Sequence, residues 1–147
     1  MCLHAFLLMF SLCVAWHAWY PADPDDFAGI DIFAGDVIRV TVAAFSSTSG
    51  NVMMENLTRS QTVSQNLQST AALCRREAEW IVGDPIVNGF LVPLANFGMV
   101  TFTDAEAVGD KIYMPSDATI VDIQRNNQIW TSASTAGSEY SVTVQYV

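Results

Sequence analysis

Residues 139–147 read EYSVTVQYV, nine residues of unbroken alternation. Tyr140, Val142, Val144 and Tyr146 fall on one side of an extended chain, and Glu139, Ser141, Thr143 and Gln145 on the other, because successive side chains of a strand point to opposite faces. An apolar set and a polar set in period two is the pattern of a half-buried antiparallel strand. It recurs upstream. DVIRVTVAAF (36–45) sets Ile38, Val40, Val42 and Ala44 against Arg39 and Thr41, and FGMVTFT (97–103) does the same with Val100 and Phe102. Turn-forming clusters separate these runs: STSGN at 47–51, RNNQ at 125–128 and STAGS at 134–138. No stretch sustains an apolar period of 3.6, so helix content is expected to be low. Short strands between such turns predict an all-β, antiparallel two-sheet β-sandwich of the jelly-roll kind. No internal repeat, low-complexity segment or linker interrupts the pattern.

The chain has 147 residues, enough for one domain with a real core. It is 51% hydrophobic and 14% charged, which excludes a disordered chain. Fifteen acidic residues against five arginines and Lys111 give a net charge of −9. Such a surface repels phosphate backbones and anionic headgroups, so neither nucleic acid nor a membrane surface is an expected partner. It also suits acid, where protonation of carboxylates relieves self-repulsion.

The apolar run from Ala5 to Ala15 is long enough for a signal-peptide core and too short to span a membrane comfortably. Basic residues are missing before it, with only His4 there, and no clean cleavage site follows, although cleavage after Ala15 or Ala18 is conceivable. Residues 1–14 therefore read as a signal-like segment, a buried strand, or sequence foreign to the native protein. The cysteines, Cys2, Cys13 and Cys74, are odd in number, so in an oxidising compartment one lacks a partner within the chain. Asn56-Leu57-Thr58 is an N-glycosylation acceptor tripeptide.

Few chemistries are well supplied. Two histidines, His4 and His17, with no paired-cysteine or paired-histidine motif, do not make a zinc site. The acidic residues Asp23, Asp25, Asp26, Asp31 and Asp36 lack the register of a calcium loop, so no metal and no cofactor is expected. His17 is the only plausible base for a serine or cysteine nucleophile, and no nucleophile-elbow motif accompanies it. REAEWIVG (76–83) reads as a strand with Glu77, Glu79, Ile81 and Gly83 on one face and Ala78, Trp80 and Val82 on the other. Glu77 and Glu79 would stand about 6.5 to 7 Å apart along it, between the carboxylate spacings of retaining and inverting glycosidases. That allows a glycoside hydrolase as a distant alternative. Gly83 either opens a turn with Asp84 and Pro85 or marks something removed from the strand.

AEWIVGD (78–84) resembles the AEWIVED signature of the fungal glutamic peptidases, the eqolisins. AWHAWYP (15–21) is similar to that family's AWYEWYP, and DDFAGIDIFAGDVIRVTV (25–42), SGNVMMENLT (49–58), ALCRREAEWIV (72–82), VPLANFGMVTFTDA (92–105) and TVQYV (143–147) follow in the family's order. The resemblance covers residues 15–147 and implies the C-terminal two-thirds of a concanavalin-like β-sandwich domain, incomplete at its N-terminus. It implies a secreted acid endopeptidase acting on polypeptides through a glutamate, as general base and then acid, and a glutamine that holds the water and the oxyanion.

Carried onto this chain, the catalytic glutamate falls at Gly83. The other signature glutamate is Glu79, about 13 Å back along a strand and unable to replace it. The glutamine belongs to a segment preceding AWYEWYP that has no counterpart here. A cleft glutamate of the family falls at Ala18, and the tyrosine before it at His17. Trp16, Trp19, Tyr20 and Glu79 remain as residues expected to line the substrate cleft, and Cys74 matches a cysteine whose partner lies in that same preceding segment. The expectation is an inactive chain, a decayed or mispredicted gene product or a pseudoenzyme, with a peptide- or glycan-binding module as the alternative. Strands left without neighbours would favour self-association through exposed edges.

Overall fold

The computed structural model describes residues 3–9, 13–83, 86–87, 90–91, 93–135 and 137–147. Within them the chain is strands and turns, with one 3-10 turn at Pro115–Asp117 as the only helical element. The fold class is the expected one, all-β with every paired strand antiparallel. The chain divides into two compact units, Met1–Glu77 and Ala78–Val147.

The first unit holds strands β1 (Leu3–Met9), β2 (Cys13–Trp19), β3 (Asp25–Asp26), β4 (Ile38–Ala44), β5 (Ser49–Asn56) and β6 (Gln61–Gln68). They form two three-stranded sheets, ordered β1-β2-β3 and β4-β5-β6. The apolar N-terminal run is thus partly a strand, running from Leu3 opposite Trp19 to Met9 opposite Cys13. β5 is the centre of its sheet, flanked by Ile38 opposite Asn56 on one side and Ser49 opposite Gln68 on the other. Its alternate residues Gly50, Val52, Met54 and Asn56 are buried. Met54 packs with Ala15 of β2 and Ile32, and Phe27, Ile30, Ile38 and Val63 close around them. Burying a methionine or leucine of this kind contributes about 1.5 to 3 kcal/mol. Alternation also governs β2, where Ala15, His17 and Trp19 face the core while Trp16 and Ala18 lie on the other side.

In the second unit the strands are β7 (Ile86–Val87), β8 (Phe90–Leu91), β9 (Met99–Phe102), β10 (Ala107–Val108), β11 (Ile112–Tyr113), β12 (Gln124–Arg125), β13 (Gln128–Ile129), β14 (Thr131–Ser134) and β15 (Val142–Tyr146). β15 is central to the sheet β14-β15-β9, and the other six strands pair two by two. Val142 and Val144 are buried, as the alternation requires, and Tyr146 meets Phe97 and Trp130 edge-on, each at 5.9 Å between centroids. Tyr140 lies before the strand and is exposed. Asn126 and Asn127, both with positive φ, make the two-residue turn between β12 and β13, a conformation that asparagine tolerates better than most residues.

Residues 76–83 are the exception to the strand reading. Residues 72–83 carry no ladder hydrogen bonds. The predicted alternation survives in exposure from Glu79 onward, with Trp80 and Val82 half-buried and Glu79, Ile81 and Gly83 exposed, but Ala78, expected on the face of Trp80, is exposed like Glu77. Bulky and β-branched residues fit a pleated surface, but a strand also needs a neighbour, and none of the described strands pairs with this segment.

Candidate functional site

The residues expected to line a cleft separate by face and by unit. Trp19 is only 4% exposed, and its Nε1 donates to the Ala71 carbonyl at 2.8 Å. It is therefore a core residue that ties β2 to the chain after β6, and the reading of Trp19 as a cleft wall is corrected by its burial. That reading was carried over from the family resemblance, whereas period-two alternation along β2 sends Trp16 and Trp19 to opposite sides. Trp16 is half-buried on the face shared with Ala18, and Tyr20 just past the strand is 62% exposed. His17 is buried and meets Phe27 edge-on at 4.7 Å, a packed position rather than that of a catalytic base in a cleft. An open depression in the first unit is lined by Thr48, Ser49, Gln68, Ser69 and Thr70, none of them an expected site residue.

Glu79 and Gly83 belong to the second unit, and both are exposed. Gly83 does not adopt a left-handed φ, and a Cβ built on it meets no atom within 4 Å. Neither backbone conformation nor close packing calls for glycine here. A turn at Gly83 would not draw on positive φ, and the rest of that reading, Asp84 and Pro85, lies outside the described residues. Cys74 is exposed, and the thiols of Cys2 and Cys13 lie outside the described residues. Among the described residues no three His, Cys, Asp or Glu side chains gather as a metal site would require, and no helix is long and apolar enough to cross a membrane.

Asn56 is a different case. It is fully buried, its Nδ2 donates to the Asp31 carbonyl and to Asp36 Oδ2, both at 2.8 Å, and its Oδ1 accepts from the Arg59 amide at 3.1 Å. Thr58 is engaged as well, its Oγ1 accepting from the Val37 amide at 2.9 Å. Both polar residues of the acceptor tripeptide hold the segment before β4 onto the β5–β6 turn. In the folded chain the glycosylation reading of Asn56 gives way to this structural one, because both Nδ2 hydrogens are spent and no space opens to solvent.

Asp36 is the hub of that network, which the sequence did not reveal. Its Oδ2 accepts from Asn56, from the Phe33 amide at 3.0 Å and from Arg59 Nε at 2.9 Å. The Asn56 amide, then Arg59 and the Phe33 amide, hold the Asp36 carboxyl below the ordinary aspartate value against the opposing effect of burial. Arg59 also lies over the Phe33 ring at 4.1 Å, and Gln61 Nε2 donates to Asp31 Oδ2 at 3.0 Å while its Oε1 accepts from the Asp31 amide.

Comparison with known proteins decides the family. The profile of the peptidase A4 family matches residues 11–146. The chain belongs to the peptidase A4 family. It is 46% identical over 136 residues to aspergillopepsin-2 of Aspergillus niger, covering 90% of this chain and 48% of that protein. It is 41% identical over 137 residues to scytalidopepsin B of Scytalidium lignicola, covering 86% of this chain and 53% of that protein. The chain thus spans about half the length of these curated relatives. Its structure is similar to the crystal structure of aspergilloglutamic peptidase from Aspergillus niger, with a TM-score of 0.85 at 45% identity, over 92% of this chain and 81% of that one. It is also similar to scytalido-glutamic peptidase solved with a transition-state analogue inhibitor, with a TM-score of 0.84 at 39% identity, over 92% of this chain and 70% of that one. The A4 peptidases are the glutamic peptidases that the AEWIVGD signature resembles, and their β-sandwich is the fold class expected from the strand pattern.

Proposed function

We propose that this chain is a glutamic-peptidase homologue that does not hydrolyse peptides itself. The observation that carries this reading is Gly83, which stands where the family signature has its second glutamate. The space around the missing side chain is open and φ lies outside the left-handed region, so neither packing nor positive φ requires glycine here, which supports reading it as the loss of the carboxylate. Whatever sequence accompanies this chain in a longer protein, position 83 offers no general base. Positioned acid–base catalysis is worth about 10²- to 10⁴-fold, and a glycine supplies none of it. By the same resemblance we place the protein outside the cell, in the acidic surroundings where such peptidases work.

The test is a cleavage assay on a denatured protein substrate at about pH 3, where ordinary carboxylates are largely protonated. The purified chain is expected to leave the substrate intact, and Gly83→Glu to fold as the parent does. Cleavage by the unaltered chain that survives rigorous removal of contaminating proteases would overturn the reading.

Peptide recognition without cleavage is the second reading. It is favoured by the exposed Tyr20 and by Trp16 on the non-core face of β2. A relative in the eqolisin family has been solved with a bound tripeptide, Ala-Ile-His. Saturable binding of short peptides in acid, weakened at least tenfold by Trp16→Ala, is the expected result; binding untouched by that change would refute a role for this face. A glycosidase built on Glu77 and Glu79 finds no support, since the two side chains stand exposed on a segment without strand partners.

A further inference from the structure

β4 is an edge strand among the described residues, paired with β5 on one side only. The Leu57 amide donates to the Val37 carbonyl, and the Phe45 amide to the Ser49 carbonyl. Odd-numbered residues of this strand therefore turn their backbone groups to β5, and by alternation Ile38, Val40, Val42 and Ala44 present theirs to the open edge. The same edge is apolar. Val40 is 44% and Val42 46% exposed, and Val37 and Phe45 at the strand's two ends are exposed further. Proteins that keep such an edge solitary blunt it with lysine, proline or a bulge. β4 has none of these, and its one charge, Arg39, is drawn to Glu55 of the neighbouring strand at 3.4 Å.

We propose that the open edge of β4 pairs antiparallel with β4 of a second copy, in a register symmetric about Thr41. That is the one two-fold register in which all seven residues of the strand find partners. It sets Val40 opposite Val42 and Ile38 opposite Ala44 of the other copy, so the residues with open backbone groups face each other and can exchange both hydrogen bonds. Just beyond the strand ends, Val37 meets Phe45. Arg39 comes opposite Ala43, and no like charges meet. A register shifted to centre on Val40 leaves Ala43 and Ala44 without partners. The occupant is a second copy because the edge is complementary to itself in hydrogen bonding, apolar pattern and charge. The net charge of −9 opposes association at long range, so pairing strengthens with added salt and with acid. This inference stands apart from the question of peptide cleavage.

The experiment is sedimentation equilibrium of the full chain over a range of concentration and salt, with variants of the edge and of a control strand. A shift from monomer to twice the monomer mass is expected, moving to lower concentration as salt rises. Val40→Lys should weaken association at least tenfold, and Thr62→Lys on the far strand β6 should not. Thr41→Cys should give an intermolecular disulfide between the two copies of position 41, identified by peptide mapping, because opposed residues of a non-hydrogen-bonded pair sit about 4.5 Å apart at Cα, within disulfide reach. A chain that stays monomeric in high salt and in acid overturns the proposal. So does a dimer in which the Thr41→Cys variant fails to cross-link to its own copy, whatever becomes of Val40→Lys.

Discussion

Asn56 shows how one side chain can be spent completely. Its amide hydrogens go to a carbonyl and a carboxylate, its oxygen takes the Arg59 amide, and no part of it reaches solvent. Replacing it with alanine removes three part-buried hydrogen bonds, to the Asp31 carbonyl, the Asp36 carboxylate and the Arg59 amide, and leaves a gap under the loop that they hold. The expected cost is about 1 to 3 kcal/mol, read from urea unfolding of the variant against the parent with the slope unchanged. From the sequence, Asn56 was legible only as half of a modification motif. Tripeptide spacing says nothing of burial, and the residues that consume it, Asp31 and Asp36, lie 20 and more positions upstream. Trp19 was assigned to the cleft by family resemblance, which does not carry the alternation along β2 that sends it inward.

At the scale of elements, the Asp36 hub fastens residues 31–37 to the β5–β6 hairpin, and its charge sets how that fastening responds to acid. The folded-state value lies below the ordinary one, so the folded chain holds fewer protons on this group than the unfolded chain does. The stabilisation is complete above the ordinary aspartate value of about 3.9 and is lost as pH falls through the lower folded value. Melting temperatures of the parent and of Asp36→Asn, followed downward from neutral pH, are expected to converge only in strong acid. Curves that run parallel throughout would show that the carboxylate adds nothing. The strands themselves were legible where alternation was strict, in β4, β9 and β15. Residues 76–83 alternate just as well and make no ladder, because pairing depends on a neighbour that a local pattern cannot supply.

For the whole molecule, the fold class followed from period two and the turns, and the family from motifs spread along most of the chain. The grouping of site residues did not. Trp16 and Tyr20 fall in one compact unit, Glu79 and Gly83 in the other, and no local pattern announces a division at residue 77. The burial of Asn56 also bears on how the molecule comes into being. A glycan is attached to the Asn56 amide nitrogen only while that nitrogen is free, and the finished fold commits it to Asp31 and Asp36. In a secretory compartment, closure of the β5–β6 turn and transfer of sugar to Asn56 would compete for one atom. A sugar added first would take one of the two hydrogens that hold the loop, and a loop closed first would hide the nitrogen from the sugar.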